Sequence, residues 1–80
     1  MLELWQTEWC PASRRIRQRL TELDLDCVIH QVPVDKEDRR ALRRATGTDV
    51  IPALVFEDGD VAIGEEQIRA RLDREVPEPR

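Results

Sequence analysis

Leu2 and Leu4 alternate with polar neighbours, the period of two that marks a short strand. From Pro11 the period lengthens. Ile16, Leu20 and Leu23 fall on one helical face, while Arg14, Arg15, Arg17 and Arg19 are expected to point to water. Pro11 suits a first helical turn, where its missing N–H would be unpaired anyway. Asp24 stands where the chain must leave this helix, and aspartate takes the left-handed conformation about as readily as any residue but glycine. Cys27-Val28-Ile29-His30-Gln31-Val32 is β-branched and mostly apolar, which predicts a buried second strand. Asp35 then caps a second helix. Glu37 and Asp38 sit at its start and Arg39, Arg40, Arg43 and Arg44 toward its end, the order the helix dipole favours, and Gly47 closes it.

A hairpin follows. Ala53-Leu54-Val55-Phe56 and Asp60-Val61-Ala62-Ile63 flank Asp58-Gly59, the dipeptide preferred by a two-residue turn with positive φ. A last helix from Glu65 to about Glu75 places Ile68, Leu72 and Val76 on one side. The order is β-α-β-α-β-β-α. A crossover helix makes the first two strands parallel, and a tight turn makes the last two antiparallel. The expected fold is therefore α/β: a four-stranded mixed sheet with helices on its faces.

Eighty residues make one domain, here 1–76, and Pro77-Glu78-Pro79-Arg80 reads as a flexible tail at 77–80. Charged residues are 38% of the chain, interleaved in sign with a net charge of −4, which leaves no footprint for nucleic acid or an anionic membrane surface. The longest apolar stretch, Val50 to Phe56, is far short of the roughly 20 residues of a membrane-spanning helix. The start lacks the basic and apolar regions of a secretory signal, so a reducing, cytoplasmic setting and a monomer are expected.

Candidate chemistry centres on Cys10, in Trp9-Cys10-Pro11-Ala12-Ser13, where the first strand ends and the first helix begins. Unpaired N–H groups and the positive end of the helix dipole stabilise a thiolate there. Arg14 and Arg15 add positive charge, and the Ser13 hydroxyl, one turn on, can donate to the sulfur. Free cysteine is also a common small core residue, but a loop–helix junction flanked by Trp and Pro favours the reactive reading. Cys27 opens the second strand, at the opposite end of the sheet. The intervening helix of about 13 residues is roughly 20 Å long, far beyond the roughly 7 Å limit for a disulfide, so Cys27 reads as core. His30 reads as structural and Trp5 as core, while Trp9 could wall the site. One histidine and two distant cysteines lack zinc-ligand spacing, and no metal is expected.

These markers together resemble the glutaredoxin family, with its thioredoxin-like fold, and are also similar to the N-terminal domain of glutathione S-transferases. The resemblance rests on the strand–C-P-x-S–helix start, on Val50-Ile51-Pro52 in place of the family's T-V-P, on Gly64-Glu65-Glu66 at the last helix and on the spacing from Gly47 to Pro52. It implies a cis Ile51–Pro52 bond facing Cys10, which turns the Ile51 backbone outward to pair with an extended thiol ligand. It places Glu65 and Glu66 at the γ-glutamyl end of glutathione, although helix N-terminal charge alone also accounts for them. Arg39 aligns with a position that contacts the glycyl carboxylate, the alternative being a solvated helix charge. Thr7 stands where many glutaredoxins carry a lysine.

The implied function is monothiol exchange by Cys10, assisted by Ser13. Glutathione or another low-molecular-weight thiol is the co-substrate, and thiols or disulfides are the partners. Ser13 in place of a second cysteine removes the intramolecular disulfide route. Two alternatives stay open: a non-catalytic thioredoxin-fold binding module, and a stand-alone domain of the transferase type.

Overall fold

A computed structural model of the chain describes residues 1–77. Its elements are β1 (Leu2–Gln6), α1 (Pro11–Glu22), β2 (Cys27–Gln31), a 3₁₀ turn (Lys36–Asp38), α2 (Arg40–Thr46), β3 (Ala53–Val55), β4 (Val61–Ile63) and α3 (Glu65–Glu75). The sheet order is β2-β1-β3-β4, with β1 parallel to β2 and the other two pairs antiparallel. This is the α/β architecture that the periodicity predicts. Apart from Pro77, the tail expected at 77–80 lies outside the described residues.

Alternation along the central strands sorts the core into two layers. Leu4, Leu54 and Ala62 pack under α1 and α3, where Ile16, Leu20, Ile68 and Leu72 close over them. Ala53 and Val32 form a smaller cluster with Leu42 of α2, and Trp5 and Ile51 pack against it half-buried. Each fully buried leucine or isoleucine contributes about 1.5–3 kcal/mol. α1 leaves its last turn as a Schellman motif. Asp24 is left-handed at φ 57°, its N–H donates to the Thr21 carbonyl at 3.1 Å, and the Leu25 N–H donates to the Leu20 carbonyl at 2.9 Å.

Four expectations need correction. β2 is an edge strand and not a buried one, with Val28 and Ile29 each more than 40% exposed. The second helix does not run unbroken from Asp35. It breaks at Arg39 (φ −91°, ψ 41°), leaving a 3₁₀ turn and a seven-residue α2, and Asp35 makes no side-chain cap. The hairpin loop has three residues, 57–59. The Gly59 N–H donates to the Phe56 carbonyl at 3.0 Å and the Phe56 N–H to the Asp60 carbonyl at 2.8 Å, and only Gly59 takes a positive φ. Arg17 and Arg19 do not simply face water either. Arg19 lies across to α3 and pairs with Asp73 at 2.9 Å, while Arg17 turns inward.

Candidate functional site

Cys10 is the N-cap of α1, with Pro11 at the first helical position. Its carbonyl accepts the Arg14 N–H at 3.0 Å, the first bond of the helix, and its N–H donates to the Thr7 carbonyl at 3.4 Å. Partial burial pushes the thiol up. The backbone N–H and hydroxyl of Ser13, the backbone N–H of Ala12 and the charge of Arg15 outweigh that burial together, so the thiol sits below its ordinary value. Ser13 is fully buried, and its oxygen accepts the Thr7 N–H at 3.4 Å, which leaves the hydroxyl proton for the sulfur. Thr7 is itself buried, and it serves the site through its backbone. Trp9 and Pro11 are exposed beside the thiol, Trp9 at 70%.

The second half of the site comes from β3 and α3. Ala53 is in register with Trp5, so the segment before β3 lies at the end of the sheet where β1 runs out toward Cys10. The Ile51–Pro52 bond is cis. The backbone N–H and carbonyl of Ile51 have no hydrogen-bond partner among the described residues. The Pro52 carbonyl accepts the N–H of Gly64 at 2.8 Å, with Gly64 at φ 85° and ψ 158°, a conformation essentially reserved for glycine. α3 then starts at Glu65 and Glu66. Glu66 is exposed. Glu65 is held by Arg15 through a two-pronged pair at 2.5 and 2.8 Å, and these hydrogen bonds hold its carboxyl below the usual range. Arg15 therefore stands between α3 and the Cys10 sulfur, a link over 50 positions of sequence.

Arg39 is neither solvated nor turned outward. It is 8% exposed, and its guanidinium donates to the carbonyls of Pro33 at 2.9 Å, Asp49 at 3.0 Å and Val34 at 3.1 Å. It ties the loop after β2 to the loop before β3. Cys27 pairs in register with Leu2, at the far end of β1 from Cys10, and packs against the larger core cluster. Burial and then the charge of Asp26 push its thiol up. His30 stacks on Trp5 at 4.1 Å between ring centroids, with Nε2 2.7 Å from Glu3 Oε1. Trp5 Nε1 is buried without a partner among the described residues.

Iodoacetamide should therefore alkylate Cys10 well ahead of Cys27, and the Cys10 rate should saturate at the lower pH. Rates measured for each cysteine against pH check this, and equal profiles would contradict it.

Two contributors are faint in the sequence. Gln6 is fully buried in line with Leu2 and Leu4, a polar residue on a core face, and that irregularity is its only signal. Arg17 looks like any exposed helix arginine. Among the described residues, no group of three His, Cys, Asp or Glu side chains is placed to hold a metal ion, and no helix is long and apolar enough to cross a membrane. Grooves of about 340 Å³ between the hairpin and α3 and about 470 Å³ between α1 and β2 are not lined by Cys10.

The family described as Glutathione S-transferase, N-terminal domain matches residues 4–80. A glutathione S-transferase from Rhodospirillum rubrum F11 superposes with a TM-score of 0.83 at 26% identity, over 99% of this chain and 35% of that one. One from Methylobacillus flagellatus KT, with GSH bound, gives 0.79 at 23% identity, over 96% and 38%. A buckwheat glutaredoxin–glutathione complex gives 0.68 at 17% identity, over 91% and 67%. The chain thus spans 35–38% of the length of these two transferases. Among curated proteins, none matches. The fold is the thioredoxin-like one of glutaredoxins and transferase N-terminal domains.

Proposed function

This chain belongs to the family of glutathione S-transferase N-terminal domains, and on that footing we propose that it is a small glutaredoxin-like thiol–disulfide oxidoreductase. Residues 1–76 form the working domain, acting as a cytoplasmic monomer. The observation that carries the reading is a cysteine at a helix N-terminus whose thiol is held below its ordinary value, with a hydroxyl and not a second thiol one turn on. The Cys10 thiolate attacks the glutathione sulfur (or that of another low-molecular-weight thiol) in a mixed disulfide, and the substrate thiol on the other side leaves as its thiolate. This forms one S–S bond and breaks another, leaving Cys10 disulfide-bonded to glutathione. A second thiol molecule then clears the adduct by the same exchange, so the electrons come from that thiol and the protein ends as it began.

The unpaired Ile51 backbone suits an extended ligand, and GSH in the Methylobacillus flagellatus and buckwheat relatives supports glutathione in that role. The α3 N-terminus suits its γ-glutamyl carboxylate. Since Arg15 occupies Glu65, the exposed Glu66 is the carboxylate that would take the ammonium.

The family match also favours a second reading, a transferase-type domain that binds reduced glutathione for conjugation. A Cys10 thiolate beside a glutathione thiolate would repel it, which argues for exchange. Intact mass after exposure to oxidised glutathione tests the choice. Wild type is expected to gain one glutathione on Cys10 and Cys10→Ser none. A wild type that gains none, yet speeds conjugation of an aromatic electrophile, supports the transferase reading instead.

A further inference from the structure

We propose that Arg17 is a positioning residue for Cys10 and acts through the backbone of Thr7. The inference rests on Cys10 being the exchanging thiol. From α1, the Arg17 guanidinium reaches back across the loop that carries the cysteine. One amino group donates to the Gln6 Oε1 and to the Thr7 carbonyl at 3.4 Å, and the other donates to the Glu8 carbonyl at 3.4 Å. The Glu8 carboxylate lies 3.7 Å away and adds charge attraction. Gln6 is fully buried. Its amide nitrogen donates to Gln31 at 3.1 Å and to Glu8 at 3.2 Å, so the polar head Arg17 grips is fixed on both sides. A buried amide is tolerated only when paired in this way.

Thr7 carries the clamp onward by two routes. Its carbonyl accepts the Cys10 N–H and sets the N-cap, and its N–H donates to Ser13 Oγ and so aims the hydroxyl proton at the sulfur. Both bonds are 3.4 Å long. A displacement of the Thr7 backbone away from them by roughly half an ångström takes both out of hydrogen-bonding range. The charge of Arg15 acts directly on the Cys10 thiol, whereas the contacts of Arg17 go to Gln6 and to the Thr7 and Glu8 carbonyls. The influence of Arg17 therefore runs through geometry and not through space.

Alkylation of Cys10 against pH tests this in wild type, Arg17→Ala and Arg17→Lys, with Cys27 in the same molecule as the control. Arg17→Ala is expected to slow Cys10 about three- to tenfold at neutral pH, the loss of one or two oriented hydrogen bonds, and to move its titration upward. Cys27 should not change. The shift should survive about 1 M salt, where the Debye length is about 3 Å. Arg17→Lys keeps the charge but cannot span three acceptors with one ammonium, so it should slow Cys10 about twofold. An Arg17→Ala profile superimposed on wild type overturns the proposal. So does a shift erased by salt, or a parallel rise at both cysteines, which reports a loosened fold. If Arg17→Ala does not fold, Arg17→Lys decides, and a wild-type profile there overturns it. Glutathione uptake is measured alongside: a wild type that takes up none refutes the exchange reading and leaves this comparison intact.

Discussion

Ser13→Cys is expected to turn a protein that stops at a mixed disulfide into one that closes an intramolecular disulfide. Ser13 is fully buried on the first turn of α1, three positions after Cys10, and its hydroxyl helps hold the Cys10 thiol below its ordinary value. Residues three apart on a helix are neighbours on one face, about 5–6 Å between Cβ atoms, and a disulfide tolerates Cα separations of roughly 4.4–6.8 Å. After Cys10 takes glutathione, the introduced thiolate attacks the Cys10 sulfur and expels glutathione as the leaving thiolate. Overall, two protein thiols are oxidised and one molecule of oxidised glutathione is reduced to two thiols. Intact mass distinguishes the products: wild type gains one glutathione, and the variant loses two hydrogen atoms. A variant that keeps its adduct would show that position 13 cannot reach Cys10 in solution, against the geometry of the helix start.

Arg39→Ala is expected to lower stability by about 3 kcal/mol. Three carbonyls lose a charged donor, and a hydrogen bond to a charged group contributes about 1.5–3 kcal/mol. Partial hydration of the opened loops recovers some of that sum. For a domain this small, each kcal/mol moves Tm by about 4–8 °C, so a fall of about 10–20 °C should appear in a thermal melt. Arg39→Lys should recover little, because a single ammonium cannot span the three acceptors. The competing expectation, that Arg39 contacts a ligand carboxylate, predicts an unchanged Tm with weakened glutathione uptake. The melt and the uptake assay together separate the two.

The sites differ in how far the chain announced them. Cys10 was legible because its position depends on local rules: a strand that ends, a proline at the first helical turn, an amphipathic period beginning just after. The left-handed Asp24 and the closing Gly47 were legible for the same reason, since both are demands of a single helix end. The partners of the arginines were not. Arg15, Arg17 and Arg19 read as outward charges on a helix, and Arg39 as a ligand contact or a solvated helix charge. In the fold they reach Glu65, Gln6, Asp73 and three loop carbonyls. An arginine head sits several bonds from its Cα, so its own helical position does not say where the charge lands.

The sequence by itself determined the order and type of the elements, the two-layer core and the place of Cys10 at a helix start, because hydrophobic period, turn residues and helix ends act over a few neighbouring residues. Only the tertiary structure decided three other features. β2 lies at an open edge, since edge or centre depends on which strands pair and not on the composition of one. Arg39 breaks the second helix, because carbonyls from two loops outside it draw its side chain inward. Cys10 is tuned from two sides, by Arg15 anchored on α3 and by the buried contacts around Thr7, through pairings whose geometry exists only once α1, α3 and the sheet have packed.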